Sequence, residues 1–150
     1  MFAALTVMSI FAATPTLSAE VGVRSLLVGE PRQFAAVRLI EPIANLNTLI
    51  EVMGDRDFFG SNARAHLRVG VGATRWQVRL AATRVGENFE PSGEVRIKLM
   101  PKVTVFAEGN LNLTSSLLRV GARYANERLS WTLEGTTKGD ASMVVSYSFI

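Results

Sequence analysis

Five segments of the sequence alternate between apolar and polar residues, and this pattern constrains the fold more than any other feature. The apolar positions are Ala65-Leu67-Val69-Val71, Trp76-Val78-Leu80-Ala82, Val95-Ile97-Leu99, Leu118-Val120-Ala122-Tyr124 and Met143-Val145-Tyr147-Phe149. Successive side chains leave a β-strand on opposite sides, so a period of two residues predicts strands with one apolar and one polar face. The sequence therefore predicts an all-β fold.

The polar faces of the predicted strands carry many charges. On them we place eight basic and four acidic residues, a predicted excess of four positive charges: Arg24, Arg38, Arg68, Arg79, Arg96, Lys98, Arg119 and Arg123 against Glu51, Glu94, Glu108 and Glu134. The single histidine, His66, shares this parity. Strands that are apolar on one side and ionic on the other are typical of a membrane barrel with a wet interior. The residues predicted to line a pore or form a lumen charge network are Arg68, Arg79, Glu94, Arg96, Lys98, Glu108, Arg119, Arg123, Glu134 and His66.

The alternation predicts about ten strands. Seven are clear, at residues 64–72, 76–83, 94–100, 103–109, 117–124, 129–135 and 141–149, and three are weaker, at 21–28, 33–40 and 47–53. Pro31 and Pro42 fit the gaps between strands, because proline cannot donate to a central ladder. An even number of strands suits an antiparallel up-and-down barrel, and eight strands after an irregular N-terminal segment is the alternative.

The predicted connections alternate in length along the chain. Longer loops at 54–63, 84–93, 110–116 and 136–140 take turns with short connections at 73–75, 101–102 and 125–128. Outer-membrane barrels have short periplasmic turns and longer extracellular loops. The long loops carry Phe58, Phe59 and Phe89, which make them the candidate surface for a protein partner.

Five aromatic residues fall at the predicted periplasmic end and on the apolar parity of their strands. They are the predicted membrane-interface residues Trp76, Tyr124, Trp131, Tyr147 and Phe149. The polar parity also has apolar exceptions: Phe106, Leu117, Val144, Leu26, Phe34 and Leu49. A soluble secreted β-barrel binding module with a partly apolar interior would show the same exceptions, so it remains the alternative.

The first 19 residues carry no charge, and Thr16-Leu17-Ser18-Ala19 resembles the small-residue cleavage site of a secretory signal peptide. Residues 20–150 then form a single β-barrel domain.

The chain has no cysteine, which excludes disulfides and thiolate metal sites. Its net charge of +3 is spread over strands and loops, whereas a nucleic-acid binder clusters basic residues on one face.

The final segment, Ala141-Ser142-Met143-Val144-Val145-Ser146-Tyr147-Ser148-Phe149-Ile150, resembles the C-terminal strand of Gram-negative outer-membrane proteins. In those proteins the barrel-assembly machinery recognises the alternate apolar positions and a terminal aromatic residue. Here the aromatic residue, Phe149, is penultimate. The whole layout looks like the small outer-membrane barrels of the OmpA and OmpX type. The resemblance implies contact with the lipid bilayer, lipopolysaccharide and the assembly machinery.

The sequence offers no catalytic motif, so we expect no enzyme activity, no cofactor and no metal. Lipid deacylases that are outer-membrane barrels of similar size have a His and a Ser two residues apart. His66-Leu67-Arg68 lacks this pattern. The charged lumen is either a polar plug whose charges satisfy one another or a thin pore that favours anions. The predicted role is therefore structural, in surface interaction, or as a narrow anion-favouring channel.

Overall fold

A computed structural model describes residues 14–26, 31–112 and 117–149. These residues form ten strands: β1 (Thr16–Leu26), β2 (Arg32–Ile43), β3 (Leu46–Asp57), β4 (Ala63–Gly72), β5 (Trp76–Val85), β6 (Asn88–Met100), β7 (Val103–Asn110), β8 (Leu118–Asn126), β9 (Leu129–Thr136) and β10 (Ala141–Phe149). Each strand pairs with the next, and β1 pairs antiparallel with β10 to close the barrel. The predicted all-β up-and-down barrel is confirmed with ten strands rather than eight. Within the same residues, no helix is long and apolar enough to span a membrane.

The three N-terminal strands are longer than predicted. β1 begins at Thr16, and its first four residues pair with residues 37–40 of β2. Residues 16–19 of the signal-like segment thus lie in the barrel wall, whereas residues 1–13 lie outside the described residues. The signal peptide at 1–19 stays a prediction.

The predicted long loop at 84–93 is wrong. β5 and β6 continue through this region and are joined by a turn of two residues, Gly86 and Glu87. Gly86 has a φ of +61°, which glycine adopts without strain at the first position of a tight hairpin turn. Residues 88–91 pair only with β5, so the missing N–H of Pro91 faces no ladder from β7.

The other connections keep the predicted asymmetry. At one end, which we call the short-turn end, the connections are two or three residues long, and at the long-loop end four of the five are four to seven residues long. Pro42 lies within β2 rather than in a gap, beside the two-residue turn to β3. Since β1 pairs with β2 only as far as Ile40, Pro42 sits at a free edge where proline is tolerated.

The barrel is apolar outside and polar inside. Val95, Ile97 and Leu99 are 48%, 47% and 60% exposed, whereas Glu94 on the opposite face of the same strand is 3% exposed. Polar and charged residues outnumber apolar ones among the buried side chains of the described residues: Glu20, Arg32, Glu51, Asp55, Asp57, Arg68, Arg79, Glu94, Ser130, Ser142 and Ser146 against Ala36, Leu49, Met53, Phe106 and Val144. Apolar side chains, which the soluble alternative places in the interior, are therefore only a minor part of the buried residues.

Two inward aromatic rings each cover a glycine on the neighbouring strand. Phe34 lies opposite Gly22, and Phe106 lies opposite Gly121. A Cβ atom at either glycine would lie 2.6 Å from a carbon of the facing ring. The glycines leave space for the rings against the wall, which explains how large apolar residues fit on the polar parity.

Candidate functional site

Glu51 is the centre of the largest ion-pair cluster in the lumen. Its Oε1 accepts a hydrogen bond from Arg68 Nη1 at 2.7 Å, and its Oε2 accepts one from Arg38 Nε. Arg38 also pairs with Glu20, which lies 3.1 Å from Arg123 Nη2 on the far side of the β1–β10 seam. The cluster thus links five strands around the lumen.

A second cluster lies towards the long-loop end, around Glu134. Its carboxylate oxygens lie 3.1 Å from Arg24 Nε and 3.5 Å from Arg119 Nη1. Arg119 also donates to Glu108, which accepts a further bond from the Ser92 hydroxyl at 2.7 Å. Each carboxylate of this cluster is therefore compensated by arginine.

The third cluster is less complete. Arg96 holds both carboxylate oxygens of Glu94, at 2.6 and 3.0 Å. Arg79 lies 3.6 Å from the same carboxylate and donates from Nε to Gln77 Oε1 at 2.7 Å. Its Nη1 is buried without a hydrogen-bond partner. Two arginines thus share one carboxylate, and one guanidinium nitrogen is left unsatisfied.

His66 belongs to a fourth cluster near the long-loop end. Its Nε2 lies 2.7 Å from Asp55 Oδ2 and its Nδ1 lies 2.9 Å from Thr83 Oγ1. Arg32 donates to Asp55 at 2.7 Å and also pairs with Asp57. No set of three or more metal-binding side chains occurs in the described part of the chain. Both ring nitrogens of His66 are therefore occupied by neighbours within the wall of the lumen.

The structure brings the predicted lumen residues together, with one difference and several additions. Lys98 lies exposed at the short-turn mouth, and no carboxylate of the described residues lies within 4 Å of its ammonium nitrogen. Sequence reasoning missed Glu20, Arg32, Asp55 and Asp57, which lie in the strands where the alternation is weak. With them, the ion pairs of the described lumen join eight arginines to seven carboxylates: Arg24, Arg32, Arg38, Arg68, Arg79, Arg96, Arg119 and Arg123, with Glu20, Glu51, Asp55, Asp57, Glu94, Glu108 and Glu134. The positive excess in the lumen is smaller than the predicted four.

Three cavities follow one another along the barrel axis. A cavity of about 250 Å³ lies at the long-loop end, one of about 70 Å³ at the centre and one of about 320 Å³ at the short-turn end. At the centre, the Phe106 ring lies between the guanidinium carbons of Arg96 and Arg119, 5.4 and 5.9 Å from its centroid. The smallest of the three cavities therefore lies where two cations stack on one aromatic ring.

The predicted interface aromatics all project outwards near the short-turn end. Their side chains are exposed on the barrel surface: Trp76, Tyr124, Trp131, Tyr147 and Phe149. Tyr147 and Phe149 also contact each other edge to face, with centroids 5.1 Å apart. Exposed aromatic residues at one end of an apolar outer surface are typical of the girdles of outer-membrane barrels, and the membrane-interface role of these five stays a prediction.

Comparison with known proteins identifies the fold. The solved structure titled KdgM porin in complex with disordered oligogalacturonate superposes with a TM-score of 0.51 at 12% sequence identity, over 89% of this chain and 99% of that chain. No protein-family model matches the sequence, and no curated protein is significantly similar to it. The chain thus shares the closed-barrel fold of a porin, and the OmpA and OmpX type is not singled out.

Proposed function

We propose that the protein is a β-barrel of the outer membrane of a Gram-negative-type bacterium. The observation that carries the proposal is the inverted polarity of the wall, with apolar residues outside and ion pairs inside. A soluble protein rarely exposes so continuous an apolar surface, whereas lipid solvates it. Within this proposal, β10 is the strand that engages the barrel-assembly machinery, and the long-loop end faces lipopolysaccharide.

We further propose that the lumen is a narrow channel that favours anions. The central cavity shares Arg38, Arg96 and Arg123 with the short-turn cavity, and it shares Arg68 and Arg119 with the long-loop cavity, so the three spaces adjoin. Arginine lines every one of them. A narrow, partly desolvated passage lined by cations favours anions over cations.

Membrane location is tested by two measurements on the purified protein. We expect it to require detergent and to migrate differently on a gel before and after heating. In vesicles, lipid-borne bromine should quench the fluorescence of Trp76 and Trp131. A detergent-independent soluble monomer, or tryptophans that lipid probes do not quench, would contradict the membrane proposal and favour the soluble binding module.

Conduction is tested in planar bilayers with a variant of the constriction. Phe106→Ala removes the ring that narrows the centre, so it should increase the single-channel conductance of a conducting barrel. Val95→Ala removes a side chain from the outer face and is the matched control. If wild type and Phe106→Ala both fold and neither conducts, the channel proposal fails.

A structural or surface-interaction role is the second candidate. It is supported by the exposed rings of Phe58, Phe59 and Phe89 at the long-loop end. Phe58 and Phe59 contact each other with centroids 6.3 Å apart, and Phe89 lies under the guanidinium of Arg84 at 6.0 Å. A folded barrel that does not conduct but binds lipopolysaccharide through these rings would favour this role.

A further inference from the structure

We infer that the cavity at the short-turn end is a binding site for a small multivalent oxyanion. Its wall contains six cationic side chains and no carboxylate: Arg38, Arg75, Arg79, Arg96, Lys98 and Arg123. The inference rests on the proposed open lumen but needs only access from this mouth, not passage through the barrel.

The two ends of the lumen differ in charge. The long-loop cavity is lined by Glu90, Glu108, Glu134 and Asp140 as well as by basic residues. The carboxylates that compensate Arg38, Arg96 and Arg123 lie deeper in the barrel. None of them forms part of the wall of the short-turn cavity. An anion in the short-turn cavity would therefore contact cationic side chains and no carboxylate of the cavity wall.

Two of these cations have no carboxylate partner among the described residues, and a third has an unsatisfied nitrogen. Within the described residues, no carboxylate lies within 4 Å of Arg75 or Lys98. The backbone N–H of Lys98 donates to the carbonyl of Arg75 at 2.8 Å, which keeps the two residues adjacent. Arg79 is 8% exposed, and its Nη1 has no hydrogen-bond partner. Adjacent unpaired cations repel each other, and a bound anion would relieve the repulsion.

The chemistry of the wall selects the ligand class. Guanidinium groups bind carboxylate and phosphate through paired N–H donors, and a lysine ammonium adds a point charge. The cavity volume is about 320 Å³, and one water occupies roughly 30 Å³ in the liquid. The site can therefore hold an anion of several oxygen atoms with its remaining hydration water.

The test is calorimetric titration of the refolded barrel in detergent with inorganic pyrophosphate at low salt. Lys98→Gln and Arg75→Gln should each weaken binding about fivefold, since each removes a direct charge contact. Lys102→Gln and Arg128→Gln are the matched controls, because they remove the same charges from turns at the same end but outside the cavity wall. The controls should change the affinity less than twofold.

The outcomes separate this inference from the proposed channel. Equal losses in all four variants would mean that overall charge, not the cavity, attracts pyrophosphate, and the inference would fail. Failure of the wild type to bind pyrophosphate at millimolar concentration would overturn it as well, even for a barrel that conducts. Citrate binding as tightly as pyrophosphate supports a general oxyanion site, whereas acetate binding as tightly as either would refute the requirement for a multivalent ligand.

Discussion

Replacement of Glu51 by glutamine should lower the free energy of unfolding by about 3 kcal/mol. The side chain of Glu51 is fully buried and neutralises both Arg38 and Arg68. Breaking a buried ion pair by removing one partner costs roughly 3–5 kcal/mol. Arg38 keeps Glu20, but Arg68 loses the carboxylate that compensates it within the described residues. We therefore expect the lower end of that range.

The assay is urea unfolding of the barrel in detergent micelles, followed by tryptophan fluorescence. With a slope of about 1–3 kcal/mol per molar urea, the midpoint should fall by about 1–3 M. Glu41→Gln is the matched control, since Glu41 is exposed on β2, and it should change stability by less than about 0.5 kcal/mol. The double variant Glu51→Gln with Arg68→Gln should be more stable than the sum of the single effects by about 1.5 kcal/mol.

Two results would refute this reasoning. If Glu51→Gln is no less stable than Glu41→Gln, the buried carboxylate does not compensate the arginines. If the double variant shows only the sum of the two single losses, then Glu51 and Arg68 are not coupled, and the 2.7 Å contact between them does not contribute to stability.

Three further predictions concern packing, backbone strain and selectivity. Gly121→Ala should destabilise the barrel by about 1–3 kcal/mol in the same urea assay, because its Cβ would meet the Phe106 ring. Gly109→Ala is the control and should be neutral, since nothing lies within 4 Å of the added Cβ. Ala44→Gly should stabilise by up to about 1 kcal/mol, since Ala44 has a φ of 55° in the β2–β3 turn; a loss of stability there would contradict the strain argument. Lys98→Glu should shift the reversal potential in a salt gradient towards cations, and an unchanged potential would mean that the short-turn mouth does not set selectivity.

The parts of the fold that alternation specifies were predictable from the sequence. The observed bounds of β10 are those predicted, because every second residue from Ala141 to Phe149 is apolar, and Val144 is the one apolar residue at the positions between them. The period fails in β3, where inward Leu49 and Met53 are apolar and interrupt the polar face. The predicted loop at 84–93 was too long, although Gly86 is a sequence signal for a tight turn, and the free edge at which β6 tolerates Pro91 exists only in the folded barrel.

The partners of the lumen charges could not be predicted from spacing along the chain. Arg123 and Glu20 are 103 residues apart, and they meet only because β1 closes on β10. Arg79 and Arg96 share one carboxylate for the same kind of reason, because the register of β5 on β6 places Arg79 opposite Glu94. Parity identifies which side chains face the lumen, whereas closure and register decide which of them form pairs.

The lumen charges also restrict the register of the strands. A slip of one residue in a strand transfers every side chain to the opposite face. In β3, such a slip would move Glu51, Asp55 and Asp57 from their arginine partners to the outer surface. If that surface faces lipid, as we propose, each exposed charge is destabilising, most of all near the bilayer midplane, and the arginines left inside add the cost of unpaired buried cations. The N-terminal strands alternate weakly, so their apolar pattern specifies the register least. Their buried acidic residues, which pair with arginine, therefore hold these strands in register.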